Sequence, residues 1–146
     1  MSRLTQVQRV KAFGNPGDAG EVRLVRTPWY LPGGKEHIQV WVHRHIEEVL
    51  LHSMAHAVRP AWTPQRIDSY NPRKIRGSTN WSLHSWGLAF DFFATPPGVP
   101  PPGGVWKPHD HVTHEFAEAF EMHGFSWGRH WEREDWPHIE WAGPPP

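Results

Sequence analysis

The segment Ser82–Asp91 reads SLHSWGLAFD and combines an imidazole, a carboxylate and an alternating apolar pattern. The large apolar side chains of Leu88–Phe92 alternate with an alanine and an aspartate, which predicts a strand with its apolar face on a core. Asp91 then shares the opposite face with Ala89, whose small side chain leaves room for an ion beside the carboxylate. Gly87 precedes the strand and allows a close approach of the backbone. The segment therefore predicts both a core strand and a ligand for a cation.

His84 adds a second candidate ligand within the same segment. A divalent ion such as zinc accepts a neutral imidazole nitrogen and a carboxylate oxygen, which His84 and Asp91 can supply. Two protein ligands do not make a catalytic zinc site, because such sites use three protein ligands and keep one position open. A third ligand must therefore come from another part of the chain.

The segment Asp135–Trp141, DWPHIEW, offers that third ligand. If residues 138–141 form a short strand, His138 and Glu140 point to one face of it. Asp135 lies three residues before His138, across a proline that interrupts a regular ladder, so its carboxylate can approach the metal without being a ligand. Three protein ligands, an open position and one nearby carboxylate are the set that metal-assisted hydrolysis needs.

These motifs resemble the zinc peptidoglycan peptidases related to D-alanyl-D-alanine carboxypeptidases and phage L-alanyl-D-glutamate endopeptidases, whose fold is shared with the hedgehog signalling domain. The signature SxHxxGxAxD of that family is met in full by Ser82, His84, Gly87, Ala89 and Asp91. Asp135 and His138 match its second signature, an acidic residue three positions before a histidine, and Trp127-Gly128 also fits. The resemblance covers the C-terminal half of the chain well and the N-terminal half loosely.

The resemblance implies a role for each of these residues. One Zn²⁺ per chain is held by His84, Asp91 and His138. Asp135 acts as the general base that takes a proton from the attacking water and returns it to the leaving amine. The implied substrate is bacterial peptidoglycan.

Four further residues have two interpretations each. In the family an arginine shortly upstream of the first zinc histidine holds the substrate carbonyl or its oxyanion. Arg73 is the better match for this arginine and Arg76 is the alternative. The competing interpretation is that both belong to a solvated basic loop. Ser82 is either a substrate hydrogen-bond partner or a turn residue. Glu140 either orients His138 through its far ring nitrogen or is a surface glutamate.

Three functions follow from this resemblance. The first is an endopeptidase that cuts L-alanyl-D-glutamate in a phage lysis context, because the Pro/Gly-rich stretch Pro96–Pro108 carries only Lys107 as a cation and suggests an open groove. The second is a D-alanyl-D-alanine carboxypeptidase, which needs a second fixed cation such as Arg76 for the terminal carboxylate. The third is a zinc-binding module without turnover.

Composition limits the remaining possibilities. A chain of 146 residues predicts one domain, 1–146, and the absence of cysteine excludes disulfides and thiolate metal sites. The 15 basic residues balance the 15 acidic ones, so no nucleic-acid partner is expected, and no apolar run predicts membrane insertion.

The start of the chain lacks the apolar centre of a signal peptide. We therefore expect a monomer made in the bacterial cytoplasm that reaches the wall after phage lysis or as a virion component.

The elements predicted from periodicity give an α+β fold. Residues 1–34 are interpreted as a loop-rich cover with a strand near Val22–Val25. Helices are predicted over Lys35–Ala57 and His111–His123, and a strand over Arg66–Tyr70. We expect a small, mainly antiparallel sheet that carries the zinc residues, with the two principal helices packed on one side, as in the hedgehog/DD-peptidase fold.

Other histidines are predicted to lie outside the metal site. His52 and His56 have i, i+4 spacing, but the residue after His52 is Ser53 rather than the glutamate of the zincin pattern, so both are interpreted as helix-face residues. A second group lies near the start of the next predicted helix: His109, His111 and His114. This group is absent from the family pattern, and none of it is predicted as a ligand.

Overall fold

The computed structural model describes residues 3–60, 62–96, 98–100, 102–104 and 112–146. Over these residues it contains three α-helices, α1 Gln6–Phe13, α2 Glu47–Ala57 and α3 His114–Glu121. Its strands are β1 Val22–Tyr30, β2 His37–His43, β3 Arg66–Asp68, β4 Ala89–Phe93, β5 Ser126–Trp127 and β6 His138–Glu140. The predicted α+β class is confirmed. None of the described helices is long and apolar enough to cross a membrane.

The strands form two antiparallel sheets. One is the β1–β2 hairpin, and the other has the order β3–β4–β6–β5. In the larger sheet Asp91 of β4 lies opposite His138 of β6, and Ala89 lies opposite Glu140. This register brings the two sequence motifs together on one face.

The core lies where α2, α3 and the sheets meet. Phe92 of β4 packs on Phe116 of α3 with ring centroids 5.2 Å apart, and Trp29 of β1 packs on the same phenylalanine at 5.3 Å. Phe90 and Phe92 are completely or almost completely buried, as the alternation in β4 predicted. The core thus fixes the strand whose other side carries Asp91.

The helix predicted over Lys35–Ala57 is wrong in its first half, where β2 occupies residues His37–His43. Ile38, Val42 and Ile46 are spaced by four residues, which fits a helical stripe and also fits a strand, because four is a multiple of two. Val40 distinguishes the two patterns, since it is as buried as its neighbours at a spacing of two. α2 itself was predicted correctly.

The N-terminal region is more regular than the loop-rich cover that was predicted for residues 1–34. Thr5 and Gln8 form a reciprocal capping box that starts α1. β1 continues to Tyr30 because β2 provides it with a pairing partner as far as His37. The capping box can be recognised in the sequence. The length of β1 cannot, because it depends on β2, which the sequence pattern predicted as helix.

The remaining boundaries differ by a few residues. α3 begins at His114 because the Thr113 side chain accepts a hydrogen bond from the backbone N–H of Phe116. The predicted strand at Arg66–Tyr70 is shortened to Arg66–Asp68, where pairing with β4 ends. His109, His111 and Lys107 lie outside the described residues.

Candidate metal centre

The three predicted ligands, His84, Asp91 and His138, come together in the structure. One potential ligand atom from each lies within 4.8 Å of the other two. Nε2 of His84 is 3.2 Å from Oδ2 of Asp91, and Nδ1 of His138 is 2.9 Å from Oδ1 of the same carboxylate. Asp91 therefore lies between the two imidazoles. The role of these residues as metal ligands stays a prediction.

A short 3₁₀ turn, Leu83–Trp86, positions His84. The Ser82 hydroxyl caps this turn by accepting a hydrogen bond from the backbone N–H of His84 at 3.3 Å. Gly87 ends it with φ +71°, and a Cβ atom there would lie 2.9 Å from the backbone nitrogen of His43. The glycine is required both by its backbone conformation and by this close approach.

The contact made by Nδ1 of His84, the ring nitrogen that points away from Asp91, determines which of the two ring nitrogens carries the proton. Nδ1 lies 2.6 Å from the backbone carbonyl oxygen of Ser69, and a carbonyl can only accept a hydrogen bond. Nδ1 therefore carries the proton in the neutral ring, so Nε2 presents a lone pair to the Asp91 carboxylate. A lone pair that faces a carboxylate needs a cation between them, whether a proton or a metal ion.

His138 lies between two carboxylates. Its Nδ1 faces Asp91, and its Nε2 is 2.7 Å from Oε1 of Glu140. Burial alone would lower the pKa of His138, but hydrogen bonds with Asp91 and Glu140 raise it to about 9. Burial would raise the pKa of Asp91, yet the hydrogen bonds from His138 and His84 hold it well below its usual value. The pocket thus favours a cation beside Asp91.

Glu140 is buried beneath the site and is not a surface residue. Its second carboxylate oxygen forms an ion pair with the guanidinium of Arg3, which was not predicted as a site residue. Burial would raise the pKa of Glu140, but the hydrogen bond from His138 and the charges of His138 and Arg3 lower it. No local pattern in the sequence joins Arg3 to a residue 137 positions away.

Asp135 lies at the edge of the site. Its backbone N–H donates to the carbonyl of Gly128 at 2.9 Å, and a side chain at Gly128 would collide with the Asp135 backbone. Oδ2 of Asp135 is 3.9 Å from Nδ1 of His138, and its side chain is 46% exposed. The carboxylate is therefore close to the candidate ligands and still open to solvent.

The remaining predicted residues line a cleft above the site. This cleft has a volume of about 450 Å³, and its walls include Arg73, Arg76, Ser82, Asp135 and Trp131. A second cleft of about 400 Å³ shares Arg73, His84 and Asp91 with the first and extends to Trp41 and Tyr70. The backbone of Arg73 is fixed because its N–H and its carbonyl both bond to the Ser85 hydroxyl at 2.9 Å.

The donor set fits zinc. Metal–nitrogen bonds of about 2.0–2.1 Å in a tetrahedral site separate two ligand atoms by about 3.3 Å. Each imidazole nitrogen lies at a distance close to that value from an oxygen of Asp91, His84 at 3.2 Å from Oδ2 and His138 at 2.9 Å from Oδ1. Both histidines bind protein acceptors through their far nitrogens, the arrangement that orients histidine ligands in metal sites. His84, Asp91 and His138 could hold the ion and leave a fourth position open toward the cleft.

A second group of potential ligands, Glu21, His43 and His45, also lies within 4.8 Å. Nε2 of His43 is 2.7 Å from the Phe13 carbonyl oxygen, and its Nδ1 accepts the backbone N–H of His45 at 3.1 Å. The carboxylate of Glu21 already pairs with Arg44 at 2.7 Å. Both ring nitrogens of His43 are already hydrogen-bonded to backbone groups, so this group does not offer a metal three ligand atoms.

The comparisons with known proteins agree with the motifs. No curated protein and no solved structure matches the chain significantly. Residues 76–141 match the model of a family described as D-alanyl-D-alanine carboxypeptidase, and this segment contains His84, Asp91, Asp135 and His138. The predicted resemblance is confirmed: the part of the chain that builds the candidate metal centre is similar to that family.

Proposed function

We propose that the protein is a zinc-dependent peptidase that hydrolyses stem peptides of bacterial peptidoglycan, cutting the L-alanyl-D-glutamate bond. The observation that carries this proposal is the convergence of His84, Asp91 and His138 at a cleft that also contains Asp135. The family match supports a peptidoglycan peptidase at the level of the class.

The residues divide the chemistry among them. When bound by His84, Asp91 and His138, zinc supplies a Lewis acid that polarises the scissile carbonyl and lowers the pKa of nearby water. Asp135 takes the proton of the attacking water and passes it to the leaving amine. Its partial exposure and its 3.9 Å separation from His138 suit a group that exchanges protons beside the ligands without being one.

Arg73 stabilises the developing oxyanion. Arg73 lines both clefts, whereas Arg76 lines only the first. A substrate that crosses the site therefore meets Arg73 on either side. The fixed backbone at Arg73 restricts the starting point of its side chain, which favours a preorganised contact. Ser82 caps the turn that holds His84, and we assign it that structural role ahead of substrate binding.

Cleavage inside the stem peptide is favoured by the shape of the surface. The two clefts meet at Arg73, His84 and Asp91, so the concave surface continues on both sides of the candidate metal position. An endopeptidase needs such a passage, because its substrate extends in both directions from the cut bond. The wall predicted from Pro96–Pro108 lies partly outside the described residues, Lys107 included, and contributes nothing to this inference.

A D-alanyl-D-alanine carboxypeptidase is the second candidate. The first cleft is lined by four basic residues that could neutralise a terminal carboxylate: Arg3, Arg73, Lys74 and Arg76. The description of the matching family names the same activity. A zinc-binding module without turnover is disfavoured, because a purely structural site has no use for Asp135 beside an open position.

The proposal extends to the biological setting. Residues 1–146 act as one catalytic domain and as a monomer, with one catalytic Zn²⁺ per chain and peptidoglycan as the partner. The protein reaches the wall after release through a phage lysis system or as part of a virion. The peptidoglycan partner in this setting is supported by the family match.

Digestion of purified peptidoglycan by the zinc-loaded protein tests the proposal. Mass spectrometry should find new L-alanine carboxyl termini and D-glutamate amino termini, and intact muropeptides should be cut in preference to the free D-Ala-D-Ala dipeptide. His84→Ala serves as the inactive control. Release of D-alanine alone would establish the carboxypeptidase instead, and bound zinc without any new termini would establish the module without turnover.

A further inference from the structure

Two histidines outside the candidate metal centre face each other at the end of the α2–α3 pair. Nδ1 of His56, on α2, lies 2.7 Å from Nε2 of His123, which follows α3. Their ring centroids are 4.9 Å apart and the planes differ by 13°. These values together describe two nearly coplanar rings that meet edge to edge, with a nitrogen of each directed at the other. Two such nitrogens need a proton or a metal ion between them.

A third histidine lies within reach of this pair. His52 is one helical turn before His56 on the same side of α2, and its ring centroid is 6.4 Å from that of His123. Its side chain is exposed, so it can change rotamer without disturbing the core. Two histidines spaced i, i+4 on one helix and a third from a neighbouring element supply the imidazole donors that zinc, copper and nickel ions prefer.

The surroundings favour a cation. A cleft of about 620 Å³ adjoins His56, and α3 contributes three glutamates to its walls: Glu115, Glu118 and Glu121. Against these three carboxylates, the described residues that line the same cleft include one arginine, Arg59. Burial, followed by the charges of His56 and His52, lowers the pKa of His123 and so favours the neutral form that a metal requires.

We propose that His52, His56 and His123 form a second metal site, which takes a divalent transition-metal ion of the zinc class and ties α2 to the end of α3. Tetrahedral ligands are about 3.3 Å apart, so the contact between His56 and His123 must widen by about 0.6 Å. Small rotations of half-buried rings achieve that change. The site does not use the zincin pattern, since Ser53 follows His52, and it is independent of the proposed catalytic function.

Zinc titration of the metal-free protein tests this site. In wild type, calorimetry should find two equivalents of Zn²⁺, and His123→Gln should reduce the number to one. In a His84→Ala background, which removes the other site, one equivalent should remain with micromolar or tighter affinity, and Zn²⁺ should raise Tm by several degrees. His56→Gln in that background should weaken binding at least about tenfold.

His130→Gln is the matched control, because His130 contacts Glu121, which lines the same cleft, but lies outside the proposed trio. That variant should keep the second equivalent and the Tm shift. Two equivalents in His123→Gln, or an equal loss of binding in His130→Gln, would overturn the proposal. A single equivalent in wild type that His123→Gln leaves in place would do the same and would leave the His56–His123 contact as a hydrogen bond.

Discussion

The group His84, Asp91 and His138 and the group Glu21, His43 and His45 contain the same kinds of side chain at similar separations. They differ in what the other atoms of each side chain contact. In the first group the far nitrogens of both histidines bind protein oxygens, and the near nitrogens face Asp91. In the second group both nitrogens of His43 are bonded to the backbone, and the carboxylate pairs with Arg44.

This difference separates a candidate metal centre from a satisfied core histidine. A ligand set needs lone pairs that converge on one point and are not already used, so closeness of donor residues is insufficient. The two groups also shift pKa values in opposite directions. Neighbouring carboxylates raise the pKa of His138, whereas burial lowers that of His43.

Removal of His84 should have the largest effect. His84→Ala takes away a ligand and leaves Asp91 without one of its two imidazole partners, so both catalytic zinc and hydrolysis should be lost. His45→Gln is the matched change in the other group and should keep both. Metal content by mass spectrometry and peptidoglycan digestion check the pair, and equal losses in the two variants would remove the distinction between the groups.

Asp135→Asn should lower hydrolysis by at least about a hundredfold, the usual scale for loss of a general base. Zinc should remain bound, because Asp135 is not one of the three proposed ligands and the amide keeps the size of the side chain. Parallel measurements of metal content and turnover distinguish this result from that of His84→Ala. Near-normal turnover with bound zinc would reject the role of Asp135.

Glu140→Gln should weaken zinc binding by about tenfold to a hundredfold, because loss of the carboxylate removes the partner that orients His138 and leaves Arg3 without its counter-charge. Competition with a chelator of known affinity measures the change. Glu21→Gln, which alters the carboxylate of the other group, should leave zinc affinity unchanged. An unchanged affinity in Glu140→Gln would assign Glu140 to packing alone.

The smallest expected effect is the pH dependence that His43 adds to stability. Burial lowers the pKa of His43 despite the opposing hydrogen bond to Phe13, and the nearby charges are Glu21, Arg44 and His45. The unfolded chain therefore binds the extra proton first as the pH falls through the ordinary histidine range near 6.5. The stabilisation is complete above that range and is lost below it.

Urea unfolding of the metal-free protein at about pH 7.5 and about pH 5 measures this effect. Wild type should lose more free energy of unfolding on acidification than His43→Gln, which has no titratable group at this position. His45→Gln, on the exposed member of the group, should behave like wild type. An equal loss in wild type and His43→Gln would show that His43 does not contribute.

Sequence patterns predicted the strands that carry the site because their information is local. Period-two alternation identified β4, and the same alternation placed His138 and Glu140 on one face of β6. The two motifs together predicted that Asp91 and His138 share one site, and the structure supplied the β4–β6 register that pairs them. The helix prediction was wrong over residues 35–46, because the four-residue spacing of Ile38, Val42 and Ile46 fits both the period of a helix and the period of a strand.

Contacts between distant residues could not be predicted in this way. The bond from His84 to the Ser69 carbonyl depends on how a loop passes the 3₁₀ turn, and the pairing of Arg3 with Glu140 depends on how the two chain termini meet. Similarly, the i, i+4 spacing of His52 and His56 carried little information until the structure placed His123 beside them. Such contacts are properties of the folded chain and have no sequence period.

Anomalous diffraction at the zinc absorption edge, on crystals of the zinc-loaded protein, tests the central claim most directly. The catalytic ion should lie about 2.0–2.2 Å from Nε2 of His84, a carboxylate oxygen of Asp91 and Nδ1 of His138. No peak should appear at Glu21, His43 and His45. A zinc ion held there, or a site in which His109, His111 or His114 replaces one of the three ligands, would contradict this account.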